Sequence, residues 1–184
     1  MGPYAVSDLA GLDIGWANRK RLAPDRDPRE RVPAYADKLC EAGHFGRKTG
    51  TGHYVYDEGG KSPNTDVLQL LDSEREALGI EAQSFDESEI ISRCMAAMVN
   101  ESCNILEEGI ARRPLDIDVV LLMGYGFPRF HGGPMKWADL QGLPGLLANI
   151  EKYALQDSFF WQRSALLQKL AESNESFESL NNTN

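Results

Sequence analysis

The amino-acid sequence predicts an all-α protein with almost no sheet. Apolar residues recur every third or fourth position, as in Val67, Leu70, Leu71 and Leu78, or Ile91, Cys94, Met98, Ile105 and Leu106; this spacing lines one face of a helix. Between these stretches stand prolines, aspartates, asparagines and glycines in the order expected at helix starts and stops. Alternating apolar and polar runs of strand length are nearly absent.

The elements follow in order. Pro3 suits a first helical turn, where a missing N–H costs nothing, and residues 4–12 read as a short helix with Gly11 near its end. Asp13 reads as the cap of a second helix over residues 14–22. A proline-punctuated loop covers residues 23–28, and Pro33 opens a helix that stops at Gly43. Gly46, Gly50 and Gly52 forbid a helix, and Tyr54-Val55-Tyr56 favours extended chain. The expectation is a glycine-rich turn leading into one short extended piece, closed by Gly59, Gly60 and Pro63. Asn64 caps a helix over residues 65–78, stopped by Gly79, and residues 79–83 form a linker. Asp86 with Glu89 has the form of a capping box. It heads the longest helix, residues 87–112, roughly 39 Å at ~1.5 Å per residue, with Pro114 as its stop. Asp116 caps a helix over 117–123, Gly133-Pro134 starts one that runs to Gly142, and Pro144 opens another to Leu155. A last helix covers residues 159–170, and residues 172–184, poor in apolar side chains, read as a frayed tail.

Two segments repeat each other. Gly2-Pro3, Asp8-Leu9 and Gly11-Leu12 match Gly133-Pro134, Asp139-Leu140 and Gly142-Leu143 at a constant offset of 131 and without a gap. The second copy is preceded by the longest helix and by that over 117–123, whereas only Met1 precedes the first. The first repeat therefore reads as truncated, covering residues 1–80, with a complete second repeat over 84–172 and a flexible tail over 173–184. Repeats bury their apolar faces on neighbouring elements, so the first half should carry an apolar surface that invites a partner.

Composition excludes some classes. With 19 Lys and Arg against 28 Asp and Glu the net charge is −9, which argues against nucleic acid as a partner. No apolar run approaches the ~20 residues of a membrane-spanning helix, and Met1-Gly2-Pro3-Tyr4 does not open a signal peptide. Cys40, Cys94 and Cys103, odd in number and scattered, read as reduced thiols of a cytoplasmic protein.

No catalytic constellation assembles. The glycine run fails both phosphate-binding patterns, because Thr51 and Val55 stand where glycine is needed. It reads as a turn, with Arg47 and Lys48 as candidate contacts to an anionic ligand. Cys40, His44 and His53 lack a fourth ligand and a pair spacing for zinc. His131, in a loop before a helix, has no triad partner at a recognisable spacing. The basic cluster Arg19–Arg31 suits either a solvated helix end or a phosphorylated ligand such as coenzyme A. Asn100, inside the longest helix, suits either a partner within the bundle or a ligand.

Three stretches carry a resemblance to a known family. Residues 1–16, residues 45–57 and residues 121–139 resemble the C-terminal helical domain of 3-hydroxyacyl-CoA dehydrogenases. The third resembles the second copy of that domain, found in multifunctional fatty-acid oxidation enzymes that also carry enoyl-CoA hydratase. The resemblance implies a fold of two helical repeats and a parent that oxidises (3S)-3-hydroxyacyl-CoA with NAD. It implies that NAD and the catalytic histidine and glutamate belong to a Rossmann domain, so this chain would bind no cofactor and, alone, be inactive. Its work would be dimer-like packing and closure over the acyl-CoA, through self-association or packing on the NAD-binding domain. The family's substrate-orienting asparagine lies in the long helix of the first repeat; Asn100 holds the corresponding place in the second, where a structural role is expected. A eukaryotic parent would be peroxisomal, although the chain ends Asn-Asn-Thr-Asn rather than Ser-Lys-Leu. A free-standing helical assembly module, pairing with itself or with a separate NAD-binding subunit, is the alternative.

Overall fold

The structure is a computed structural model that describes residues 1–182. It divides at Ser84 into two compact units. The all-α expectation holds, with one small hairpin added.

The first unit holds α1 (Pro3–Ala10), α2 (Leu12–Leu22), α3 (Ala34–Glu41), the hairpin β1 (Tyr54–Asp57) and β2 (Gly60–Pro63), and α4 (Thr65–Leu78). Its core is small: Leu12, Leu39, Cys40 and Val67, ringed by Trp16, Tyr35, Phe45, Leu70 and Leu71. Asn64 caps α4 by accepting the Asp66 N–H, and Gly79 closes it in the left-handed conformation at φ 63°. Asp13 does not cap α2. The cap position falls on Gly11, and Asp13 inside the first turn takes the Lys48 ammonium instead. The single extended piece expected here is one strand of a pair, the other being β2. Gly60-Lys61-Ser62-Pro63 has little strand propensity, yet it pairs antiparallel with β1 because the intervening turn returns it alongside.

The second unit holds α5 (Glu87–Glu107), α6 (Pro114–Gly124), α7 (Pro134–Gln141), α8 (Leu143–Ala154), α9 (Ala165–Ser173) and α10 (Phe177–Leu180). Asp86 caps α5 through the Glu89 N–H. Ala96, Val99 and Cys103 of α5 share a core with Met135 and Ala138 of α7, Leu146, Ile150 and Tyr153 of α8, Leu167 and Leu170 of α9, and Phe177 of α10. Helix α5 stops five residues earlier than expected. Gly109 at φ 71° turns the chain and the Ile110 N–H bonds back to the Ile105 carbonyl, well before Pro114. Pro114 itself starts α6, and Asp116 pairs with Arg113 rather than serving as a cap. Helix α9 begins at Ala165, where the Ser164 hydroxyl accepts the Leu167 N–H.

The frayed-tail expectation is corrected over the described residues. Phe177 is only 1% exposed, and the Asn181 side chain accepts the Leu115 N–H at the head of α6. One large aromatic outweighs the polar composition around it. No helix among the described residues is long and apolar enough to cross a membrane.

Candidate functional site

The most elaborate polar arrangement in the first unit centres on Asp8, the mid-helix aspartate of the repeat. Its side chain is fully buried. One oxygen accepts the His53 backbone N–H at 2.9 Å and the His53 ring Nδ1–H at 3.0 Å; the other accepts the Tyr54 N–H and the Tyr56 hydroxyl, each at 3.0 Å. A carboxylate bonded by several donors tolerates burial that would otherwise cost several kcal/mol. Burial, followed by the hydrogen bond to Asp8, pushes the Tyr56 phenol up to about 12. The ring of Tyr4 lies 4.8 Å from that of His53.

This arrangement explains the glycines. A Cβ on Gly46 would stand 2.4 Å from the Asp8 carbonyl oxygen, and one on Gly52 would stand 2.4 Å from the Asp8 carboxylate. The run is glycine-rich so that the loop can close over α1. At both glycines the space that a Cβ would take is filled by Asp8.

A cleft of about 530 Å³ lies beside the anchor, lined by Met1, Ala5, Leu9, Arg47, Tyr56, Asp57, Gly60 and Lys61. Arg47 and Lys48 part company here. Arg47 stands over the Tyr56 ring at 5.8 Å and faces the cleft, whereas Lys48 is tied to Asp13 at 2.5 Å. Lys61 sits over Tyr54 at 4.6 Å. The cleft thus combines an apolar floor with two cations and the Asp57 carboxylate, and Lys48 is not one of the residues that line it.

In the second unit Asn100 is 7% exposed and turned inward. Its amide donates to the Gln162 carbonyl at 2.7 Å and its carbonyl accepts the Ser164 N–H at 2.9 Å. It holds the segment between α8 and α9 against α5, the partner within the bundle that was one of the two readings of this residue. His131 lies between the rings of Phe127 and Phe130, at 6.3 and 4.2 Å. His53 is committed to Asp8, and no group of three or more metal-ligating side chains converges among the described residues. Burial raises the Cys103 thiol to about 12 and also raises that of Cys40.

Sequence reasoning missed what the repeated aspartate does. Asp139, the match of Asp8, accepts the Phe177 and Glu178 N–H groups at 2.8 and 3.0 Å. Each copy therefore uses a mid-helix aspartate to receive two consecutive backbone N–H groups from a segment further along. The available signal was the recurrence itself, because aspartate is a poor mid-helix residue unless a partner waits for it. Carboxylates from other helices also meet several helix starts. Glu74 takes the Ala34 and Tyr35 N–H groups of α3, Asp118 those of Met135 and Lys136 in α7, and Glu107 the Leu166 N–H in α9.

Comparison with known proteins agrees with this architecture. The family model described as 3-hydroxyacyl-CoA dehydrogenase, C-terminal domain, matches residues 1–56 and 90–179. The chain is 42% identical over 186 residues to the peroxisomal bifunctional enzyme of Danio rerio, covering 92% of this chain and 26% of that protein. It is 43% identical over 190 residues to the peroxisomal bifunctional enzyme of Homo sapiens, covering 93% and 26%. It spans about a quarter of the length of these curated relatives. The crystal structure of the dehydrogenase part of multifunctional enzyme 1 from C. elegans superposes with a TM-score of 0.68 over 92% of this chain and 38% of that one, at 24% identity, a likeness of fold. A match that spans both halves of the chain, and both anchoring aspartates, places the protein in the family of the 3-hydroxyacyl-CoA dehydrogenase C-terminal domain.

Proposed function

We propose that this chain is the C-terminal helical part of an NAD-dependent 3-hydroxyacyl-CoA dehydrogenase of fatty-acid β-oxidation. It works by packing on the NAD-binding domain and closing the cleft that holds acyl-CoA, and it is inactive alone. The supporting observation is how the polar side chains are used: Asp8, Asp118, Asp139, Asn100 and Glu107 are all occupied in holding one element to another. Hydride transfer needs a nucleotide site and a proton acceptor facing the substrate. The NAD-binding domain supplies both in this reading. Arg47, at the mouth of the cleft, is the residue best placed to meet an anionic part of the substrate.

The test is a trans-complementation assay. NADH formation from (3S)-3-hydroxybutyryl-CoA is followed with the chain alone, then with the separately expressed NAD-binding part of the Danio rerio enzyme. No turnover alone and turnover on mixing are expected. Turnover by the chain alone would overturn the supporting role, and inactivity of a mixture that forms a complex would overturn the dehydrogenase assignment.

The alternative of a self-pairing assembly module draws on α6. Leu115, Val119 and Met123, one stripe of that helix, are 45, 48 and 75% exposed. A concentration-dependent dimer lost in Val119→Glu would favour it.

A further inference from the structure

Helix α10 is one turn long and is seated mainly by α6 and α7, which stand far before it in the sequence. Asp139 of α7 accepts the Phe177 and Glu178 N–H groups at 2.8 and 3.0 Å. The Lys136 ammonium lies 2.6 Å from the Glu178 carboxylate, and the Asn181 side chain accepts the Leu115 N–H at 2.9 Å. The Phe177 ring fills the apolar socket beside them. These partners form a groove that reads a short segment along its length: a socket for an aromatic ring, an acceptor for two backbone N–H groups, a cation for the next side chain and a donor for an amide one turn further on. A cleft of about 370 Å³ continues it, lined by Pro114, Asp118, Met135 and Asn182 among others. The tether, by contrast, is slight. Asn174, Glu175 and Ser176 alone join α10 to α9. Asn174 and Glu175 are exposed, and Asn174 stands at φ 55°, a left-handed conformation that no other non-glycine residue among the described residues adopts. The Glu175 N–H bonds back to the Leu170 carbonyl across this bend.

We infer that the groove between α6 and α7 is a docking site for the α10 segment of a second copy of this chain, taken in exchange for the chain's own. Exchange of an identical element needs no new complementarity, because every contact of the exchanged segment already exists within one chain. The contacts that seat α10 lie on residues 177, 178 and 181 and on α6 and α7, not on the tether, so a segment arriving from elsewhere would make the same ones. The tether permits it: three residues reach roughly 10 Å when extended, and extension takes Asn174 out of a conformation that L-residues avoid. This pairing differs from one through Val119 and Met123 of α6, and it stands whether or not the chain serves a dehydrogenase.

The experiment separates groove from arm in full-length chains. Phe177→Ala keeps the groove and disables the arm, whereas Asp139→Ala keeps the arm and disables the groove. A tagged Phe177→Ala chain should capture untagged Asp139→Ala and should not capture untagged Phe177→Ala. A fluorescent peptide of residues 174–182, standing in for the second copy's arm, should bind Phe177→Ala at least about tenfold tighter than the unaltered chain, whose own arm competes. The same peptide carrying Phe177→Ala should not bind. If Phe177→Ala fails to fold by circular dichroism, Glu178→Lys takes its place, since it weakens the arm at the surface by setting a like charge against Lys136. Equal peptide binding by the unaltered and arm-disabled chains would overturn the inference, and so would a folded arm-disabled chain that ignores the peptide. Capture that is the same with and without a working arm, or peptide binding with no capture in the mixture, would overturn the second copy as occupant.

Discussion

The two units start from one motif and bury it to different degrees. Around Asp139 the anchor is simple: two backbone N–H groups at the start of α10, on a helix already sheathed by α5 and capped by Asp118. Around Asp8 the anchor is heavier, with four donors from a hairpin and its glycine turn, on a helix whose outer side is bare. What the repeat keeps is an instruction: begin with Gly-Pro, place an aspartate mid-helix, and let it receive a later segment. The receiving segment differs in kind, a strand in one copy and a helix start in the other. A buried carboxylate accepts any pair of consecutive N–H groups that the chain can bring to it.

The largest effects should come from the anchors. Asp8→Ala leaves two backbone N–H groups, a tyrosine hydroxyl and an imidazole without their acceptor in a buried place. It should cost about 3–5 kcal/mol, the range for breaking a buried charged network, and unfold the first unit at lower urea. Asp139→Ala removes two bonds on a partly exposed side chain and should cost about 1–3 kcal/mol. Equal losses would mean that the extra donors around Asp8 add nothing. Phe177→Ala belongs with this group: emptying its site should cost about 3–5 kcal/mol and release α10. If the second unit kept its stability, the tail would be an ornament on a core complete without it.

A sharper comparison uses one substitution at two matched positions. Gly133→Ala forces a Cβ against Asp118 at a backbone φ of 106°, which side chains rarely adopt; strain and clash together should cost about 2–4 kcal/mol. Gly2→Ala meets open space at an ordinary φ of −73° and should change stability by less than about 0.5 kcal/mol. Thermal melts of the two variants decide this. A Gly2→Ala variant as damaged as Gly133→Ala would show that α1 is covered in solution.

How much of this could be read beforehand depended on the range of the interaction. The starts of α4 and α5 were legible because Asn64 and Asp86 act on N–H groups two and three residues away. The end of α5 falls before the stop expected at Pro114, because Gly109, at positive φ, ends the helix sooner than the distant proline does. Strand β2 and helix α10 were invisible for another reason. Neither has a local signature, and each exists because something distant receives it, β1 in one case and Asp139 in the other. The anchors escaped for the same reason. Asp8 meets its donors 45 to 48 positions away, and only the repeat hinted that the residue had work to do. For Arg47 and Lys48, adjacent in sequence, the opposite surroundings become visible only when the turn is folded.

The smallest effect separates the units by pH. In both, exposed carboxylates are held below their ordinary values by direct partners: Asp13 by Lys48 and Asp27 by Arg29 in the first, Asp86 by the Glu89 N–H, Asp116 by Arg113 and Glu178 by Lys136 in the second. Asp27 falls to about 2. A depressed carboxylate stabilises the fold above its unfolded pKa, and this is lost as the pH drops through the folded value, so both units should weaken on acidification below about pH 4. The second unit also contains Asp118, which burial raises above 3.8 despite the two N–H groups it accepts. Its sign is opposite. The folded state holds that proton more tightly than the unfolded chain, so stability falls as the pH rises from 3.8 through the raised value. Urea midpoints followed from pH 3 to 7 should therefore climb to a plateau for the first unit and pass through a shallow maximum for the second. Asp118→Asn should lower the second unit's midpoint overall, because one acceptor is lost at the start of α7, yet remove the decline on the alkaline side of the maximum. A decline that persisted in Asp118→Asn would assign it to another group and leave Asp118 as a cap alone.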